Sequence, residues 1–571
     1  MDPEIAQFGL DLFGVDLKSQ WEGAMSSLYP QADASLLPSP TVAGPVDMRI
    51  SQHAIVSLKS QLGEMDSLAV SLQRIQEELA KLQGRCSSER LKAEQALLNH
   101  QSIVAPIRRV PDDVLVEIFL TCMGINSRRF QPQPITLASV CRRWRTLAHS
   151  TARLWSTVIA LLTPTNYLST GSLLNHYTSL SAALPLQISL KLNEDAIDPA
   201  LDTILNPSGT EGNIFLSQTL AASAPRWKTL AVTPSILPVL HRAWLSVQSS
   251  GWDVSMLEIL EIDARMDENW PLNGGVMSMF SIASRLRYVI CHDSSYEPYI
   301  PLELPWNQIE QLDGLSMNLE TFSKYLRRCP KVARCGSFSF GDSFDGLGDT
   351  CHRALRAIDA YTDSRTCLEE LFTHFQFPSL VELRLEAWYG PSIWPQHHFS
   401  NFCARSSCML QRLVLGCGIV AKEDLLLIFP SVPSILELHF SEPKTTYMEA
   451  EAGFDTDVIE KLSLIPHSLS NLLPHLRTLS LLGGLRFDTR TFTRMIMSRT
   501  VHTHDHLPIF QNLYVQIEEQ HSMEKAGRTL LTYEPALKVE DFKDVQDILG
   551  EHAFISVAQY PTPDLVFPQL L

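Results

Sequence analysis

The 571-residue chain has no apolar run approaching the roughly 18 to 20 residues needed to cross a bilayer. Its opening stretch, "MDPEIAQFGLDLFGVDL", puts no basic segment ahead of an apolar one, so it does not read as a secretory leader. The eleven cysteines are odd in number and lack short regular spacing. They suit free thiols in a reducing compartment, cytoplasmic or nuclear, better than a disulfide framework. Positive charge is scarce: 46 Lys and Arg stand against 63 Asp and Glu, a net charge of −17. General nucleic-acid binding is therefore not expected, since neutralising phosphates needs a basic surface. Phosphate-cradling glycine loops and a G-x-S-x-G turn are missing as well. The expectation is a chain that is not an enzyme, carries no cofactor and does not enter a membrane.

What is present is unevenly spread. The length allows roughly three to four domains. Residues 105–158 hold eight arginines (108, 109, 128, 129, 142, 143, 145 and 153) against Asp112, Asp113 and Glu117, so the remainder carries −22. Residues 1–49 read as a disordered acidic tail ending in "LLPSPTVAGP", with Phe8, Leu12, Phe13 and Trp21 as a possible short docking motif.

Residues 50–104 differ. Ile55, Leu58, Leu62, Met65, Leu68, Leu72, Ile75, Leu79 and Leu82 follow one another in steps of three and four, with one extra three-residue step at Met65–Leu68. No proline interrupts them. This predicts a long helix of coiled-coil pattern, with Gly84 and "CSSE" as a bend into a second arm. Self-association and packing back on its own domain are both open.

Residues 161–571 carry a repeat. "PRWKTLAV" (from 225), "LEILEI" (257), "LRYVIC" (286), "IEQLDG" (309), "PKVARCGS" (330), "PSLVELRL" (378), "LQRLVL" (410), "PSILELHF" (433), "PHLRTLSL" (474) and "PIFQNLYV" (508) mostly fit apolar-x-x-apolar-x-apolar. Pro225, Pro378, Pro433, Pro474 and Pro508 each stand two residues before the first apolar position. "LPLQISLKL" (184–192) is the expected first strand, and "NLETFSKYLRRC" and "KEDLLLIF" are helix-like segments between strands. One strand and one helix per repeat, each finished by its neighbours, predict an irregular leucine-rich solenoid of mixed α and β structure. Alternation would send Ile259, Glu261, Asp263, Tyr288, Ile290, His292, Glu382, Arg384, Glu386, Arg412, Glu437, His439, Asn512, Tyr514 and Gln516 to an open face. A protein target would dock there, with Tyr288, Glu382, Arg384, Arg412, His439 and Tyr514 as the candidate contacts.

Between the helix and the repeats lies "IVAPIRRVPDDVLVEIFL" (103–120). Pro111 suits a first helical position, and Asp112 and Asp113 set negative charge against the helix's positive end. Pro111, Val114, Leu115, Ile118, Phe119 and Cys122 share one face. A second segment, "ITLASVCRRWRTLAHSTARLW" (135–155), places Leu137, Val140, Cys141, Trp144, Leu147 and Leu154 at similar spacing. So few residues cannot bury so much apolar surface among themselves, and a partner must cover some of it.

Residues 105–160 resemble the F-box through "VPDDVLVEIF", "VCRRWRTL" and the closing Leu154–Trp155, with Val110 and Asp113 where a leucine and a glutamate are usual. With "LLNHQSIVAPIRR" ahead of them, they resemble F-box-like proteins of mushroom-forming fungi, which join a long helix, a three-helix F-box and a divergent leucine-rich tail. The resemblance implies binding of a Skp-type adaptor and, through it, a cullin ubiquitin ligase core. It places Pro111, Leu115, Ile118, Phe119, Val140 and Trp144 against the adaptor. The other reading is a scaffold in which these helices only cap the repeats. Two histidine-rich stretches, His502, His504, Asp505 and His506, and His397, His398, Cys403 and Cys408, have poor spacing for zinc and are not expected to bind metal.

Overall fold

The computed structural model describes residues 44–124, 134–163, 166–192, 211–247, 252–264, 277–292, 302–341, 347–362, 364–387, 394–416, 419–420, 422–441, 454–465, 468–483, 485, 487–500, 510–518 and 537–558. The expected acidic tail lies almost wholly outside them. Between Leu115 and Val116 the chain divides into two compact units.

The first unit is dominated by α1 (Pro45–Val104), with a proline in its first turn. At 60 residues and about 1.5 Å per residue it runs for about 90 Å. The expected bend at Gly84 does not occur: the helix continues through it. A mid-helix glycine costs only about 1 kcal/mol, and flanking pairs such as Lys81–Glu78, Arg90–Glu94 and Lys92–Glu89 offset part of that. The helix stops at Val104, where Pro106 bars Ala105 from helical backbone. A short turn of 3-10 helix, Pro106–Arg109, follows, and α2 (Asp112–Gly124) carries the boundary between the units.

The second unit continues with α3 (Pro134–Val140) and α4 (Arg142–Ser150) and then becomes a parallel sheet with helices. Its strands are β1 (Thr157–Leu162), β2 (Leu186–Leu192), β3 (Trp227–Val232), β4 (Ile259–Asp263), β5 (Tyr288–His292) and β6 (Gln311–Asp313). There follow β7 (Ser316–Met317), β8 (Arg334–Phe340), β9 (Thr350–Cys351), β10 (Ala357–Tyr361), β11 (Phe375–Gln376) and β12 (Glu382–Glu386). The last are β13 (Arg412–Gly416), β14 (Glu437–Ser441), β15 (Thr478–Gly483), β16 (Asn512–Glu518) and β17 (Ala553–Ala558). Among the described residues, fifteen strands form one sheet in chain order, with β7 paired on β8; β9 and β11 pair separately. Every pairing is parallel, so successive strands need a crossover, often a helix such as Leu319–Arg328 or Lys422–Ile428.

All ten repeat motifs fall on strands, and the recurring proline has a local cause. Backbone bonds Trp227 N–Ala224 O, Val332 N–Cys329 O, Leu380 N–Phe377 O, Ile435 N–Val432 O and Leu476 N–Leu473 O each close a four-residue turn. Pro225, Pro330, Pro378, Pro433 and Pro474 occupy the second position of these turns, where a fixed φ near −65° is already correct. The turn delivers the next apolar residue into the core, and Trp227, Val332, Leu380, Ile435 and Leu476 are all buried. Pro330 joins this set, whereas Pro508 lies outside the described residues.

The sheet does not begin at 184–192. β1 precedes that strand and pairs with it from Thr157 to Leu162, beginning inside the segment assigned to the F-box-like region. The longest gap in the repeat, between Val332 and Leu380, holds β10. Behind this part of the sheet an aromatic slab fills the core: Phe322 against Phe338 (5.5 Å between centroids), Phe372 against Phe399 (5.2 Å) and Trp394 against Phe399 (4.8 Å).

Candidate protein-interaction sites

Helix α2 starts at Asp112, with Asp112 and Asp113 in its first turn. The amide of Leu115 donates to the carbonyl of Pro111 at 3.0 Å, which puts Pro111 one residue before the first helical position. Helix α4 is capped by Cys141, whose sulfur accepts the amide of Trp144 at 3.5 Å. Arg145 ties α4 to α3 by donating Nε–H to the carbonyl of Ala138 at 3.0 Å. The closing Leu154–Trp155 pair is an internal anchor. Trp155 is fully buried, donates its indole N–H to the carbonyl of Ala148 at 2.7 Å, and meets Tyr177 edge-on at 5.0 Å.

The six residues assigned to adaptor contact divide into two groups. Leu115 and Phe119 are 0% and 1% exposed, so they serve the chain's own core. Ile118 and Val140 are 39% and 58% exposed, Pro111 is exposed, and Trp144 is half-buried with Phe119 packed on it. Ile135, absent from that assignment, is 43% exposed. Its signal was an isoleucine outside the apolar stripe of its segment, a residue that the helix's own packing does not require. Among the described arginines of this basic stretch, Arg108, Arg109, Arg142, Arg145 and Arg153 are exposed.

The sheet face expected to be open is partly filled by its own charges. Strand register sets Glu382 beside Arg412 and Arg412 beside Glu437, and Arg384 beside Asp359. Arg412 lies 3.2 Å from Glu437, Arg334 lies 3.4 Å from Glu382, and Arg384 lies 2.6 Å from Glu386 and 3.5 Å from Asp359. A methyl group on Gly416 would come within 2.7 Å of the Glu386 side chain, so this glycine makes room for the carboxylate. Burial pushes the Asp359 carboxyl up to about 6, against the pull of Arg384. His439 is buried at 2% exposure, which corrects its expected place on an open surface. Its ring lies 3.6 Å from Glu437, holding that carboxylate below its ordinary range, while burial keeps the imidazole itself low.

The two tyrosines lie at separate places on this face. Tyr288 is exposed on β5; Tyr514, half-buried on β16, stacks flat on exposed Phe554 of β17 with centroids 4.9 Å apart. Phe554 lay outside the repeat pattern. Its strand ends the sheet and opens on Ala553, where the repeats carry a large apolar residue.

His502, His504, Asp505 and His506 lie outside the described residues. Among the described residues no three His, Cys, Asp or Glu side chains gather as a metal site, and no helix is long and apolar enough to cross a membrane. No curated protein matches the chain. The family model of F-box-like domains matches residues 107–160, spanning the helices from α2 to α4, the Leu154–Trp155 anchor and the start of β1. Residues 107–160 are thus an F-box-like domain, and F-box domains typically bind Skp-type adaptors.

Proposed function

We propose that the chain is a non-catalytic, substrate-recruiting subunit of a cullin-type ubiquitin ligase. The observation that carries this reading is the exposure of Ile118, Ile135 and Val140 on a domain matched as F-box-like, apolar side chains that the described residues leave uncovered. They would dock the Skp-type adaptor, and the parallel sheet, read as a leucine-rich-repeat-like solenoid, would hold a protein target near Tyr288 and the Tyr514–Phe554 pair. Its contribution is positional: holding a target beside the transfer machinery raises the effective concentration of the pair. Helix α1 would add self-association as a coiled coil, since Leu62, Leu79 and Leu82 of its stripe are exposed.

A second reading has one observation in its favour. Trp155 joins the F-box-like helices to helix Tyr167–Leu180, as expected if they only cap the sheet. Co-purification with a Skp-type adaptor separates the two. Wild-type chain should retain the adaptor, and Ile118→Asp combined with Val140→Asp should lose it while keeping native circular dichroism. Failure of the wild type to bind leaves the capping role.

A further inference from the structure

Helix Gln396–Ser406 ends on Ser407, a non-glycine residue at φ +50° whose amide donates to the carbonyl of Cys403 at 2.9 Å. A left-handed cap of this kind turns the chain back so that the residue after it packs against the last helical turn. In most helices that contact is between apolar side chains. Here the residues on either side of the cap are two thiols, Cys403 in the last helical turn and Cys408 directly after Ser407, and their interaction holds Cys403 above and Cys408 below the ordinary cysteine range. Both are only partly buried, and both line one pocket of about 230 Å³ at the approaches to β13, β14 and β15. Val432, Ser431, Ser434 and His475 complete much of its wall. A water molecule takes about 30 Å³ of liquid volume, so the pocket admits a small solute.

The other described cysteines are placed differently. Cys291, Cys329, Cys335 and Cys367 are buried, Cys86, Cys141 and Cys351 are exposed, and half-buried Cys122 does not line this pocket. With no three-ligand cluster among the described residues, a metal does not account for the pair.

We propose that Cys403 and Cys408 are a reversible thiol–disulfide site whose oxidising substrate is a small hydroperoxide entering this pocket. Cys408 is the attacking thiol. The interaction with Cys403 lowers its pKa and favours its thiolate, while the same interaction, with burial, holds Cys403 protonated. The Cys408 thiolate attacks one peroxide oxygen: an S–O bond forms, the O–O bond breaks, and the departing oxygen leaves protonated as water or an alcohol. Cys403 then attacks the Cys408 sulfur, forming S–S and breaking S–O; the hydroxide leaves as water with the Cys403 proton. The two thiols together supply the two electrons that reduce the peroxide. A dithiol reductant reverses the bond.

The experiment treats the reduced full-length protein with hydrogen peroxide, blocks remaining thiols with iodoacetamide and maps tryptic peptides. Cleavage after Arg384, Arg405 and Arg412 separates the two cysteines, so the bridge appears as residues 385–405 linked to 406–412. The linked species should form at least about tenfold faster than Cys86 or Cys351 is lost, in keeping with a larger thiolate fraction. Cys403→Ser should instead leave Cys408 as a sulfenic acid that dimedone traps, and Cys408→Ser should leave Cys403 unreactive. Recovery of both peptides in alkylated form, or a bridge forming no faster than Cys86 and Cys351 react, overturns the proposal.

Discussion

The rings of Phe119 and Trp144 lie 4.8 Å apart, centroid to centroid, tilted by 58°. This contact links α2 to α4, and Phe119 is buried beneath it. Resemblance alone would assign both residues to a partner, yet one of them holds the domain together.

Phe119→Ala should therefore act on stability before it acts on binding. Truncating a buried phenylalanine costs about 3 to 5 kcal/mol, and the loss should appear as a lowered denaturation midpoint of the F-box-like region with no adaptor present. Ile118→Ala should leave that midpoint nearly unchanged. Equal destabilisation by the two variants would contradict the division between core and surface residues.

Arg499 makes a second test of burial. It is buried, and its guanidinium donates to the carbonyls of Leu462, Leu472 and Leu473 at 2.5 to 3.0 Å. Desolvation lowers its pKa to about 10. Arg499→Leu would strand several carbonyls, each worth about 1 to 3 kcal/mol when buried and unsatisfied. The expected result is early unfolding of the β15–β16 region, read by hydrogen exchange at the amides of Leu513 and Val515. Unchanged protection there would show that water replaces the guanidinium without cost.

Asp359 predicts a pH dependence. Its folded pKa, near 6, lies above the ordinary 3.8, so the folded state binds this proton more readily than the unfolded state does. Its contribution to stability is fully present below about pH 3.8 and is lost as pH rises through about 6. Asp359→Asn lacks this dependence. Between pH 5 and pH 7 the wild type should lose stability relative to the variant by about 1 to 2 kcal/mol, measured by denaturant titration at each pH. A difference that stays constant with pH would place the ionisation elsewhere.

For α1, a fragment spanning residues 45–104 should be strongly helical and should sediment as a dimer or larger species at high concentration. Most helical stability comes from packing an apolar face, and a partner helix would cover its exposed leucines. A helical monomer at every concentration would limit the stripe to contacts within one chain.

How far the sequence reached can be followed residue by residue. The step pattern from Ile55 to Leu82 implied a long helix, and the apolar-x-x-apolar-x-apolar spacing located ten strands, because both signals are local and repeat with the period of the backbone. β1, β10 and β17 escaped because "TVIALL", "AIDAY" and "AFISVA" place alanine where the pattern wants a large side chain; Ala160, Ala357 and Ala360 are buried only because neighbouring strands crowd them. Gly84 looked like a bend because local propensity does not register how modest its cost is within 60 helical residues.

The proline-led helix, the Val-Cys-x-x-Trp segment and the Leu154–Trp155 pair were enough by themselves to indicate an F-box-like domain, since each is a short-range pattern of polarity and shape. Which of their apolar residues face inward was decided by tertiary structure. Leu115, Ile118, Phe119 and Val140 have similar hydrophobicity, and only the placement of α3 and α4 leaves Ile118 and Val140 exposed while Phe119 is covered. The same holds on the sheet, where alternation put His439 and Arg412 on one face. Parallel register then set Glu437 beside Arg412, where Glu437 reaches both Arg412 and His439, so that side chains free in the linear pattern became partners of one another.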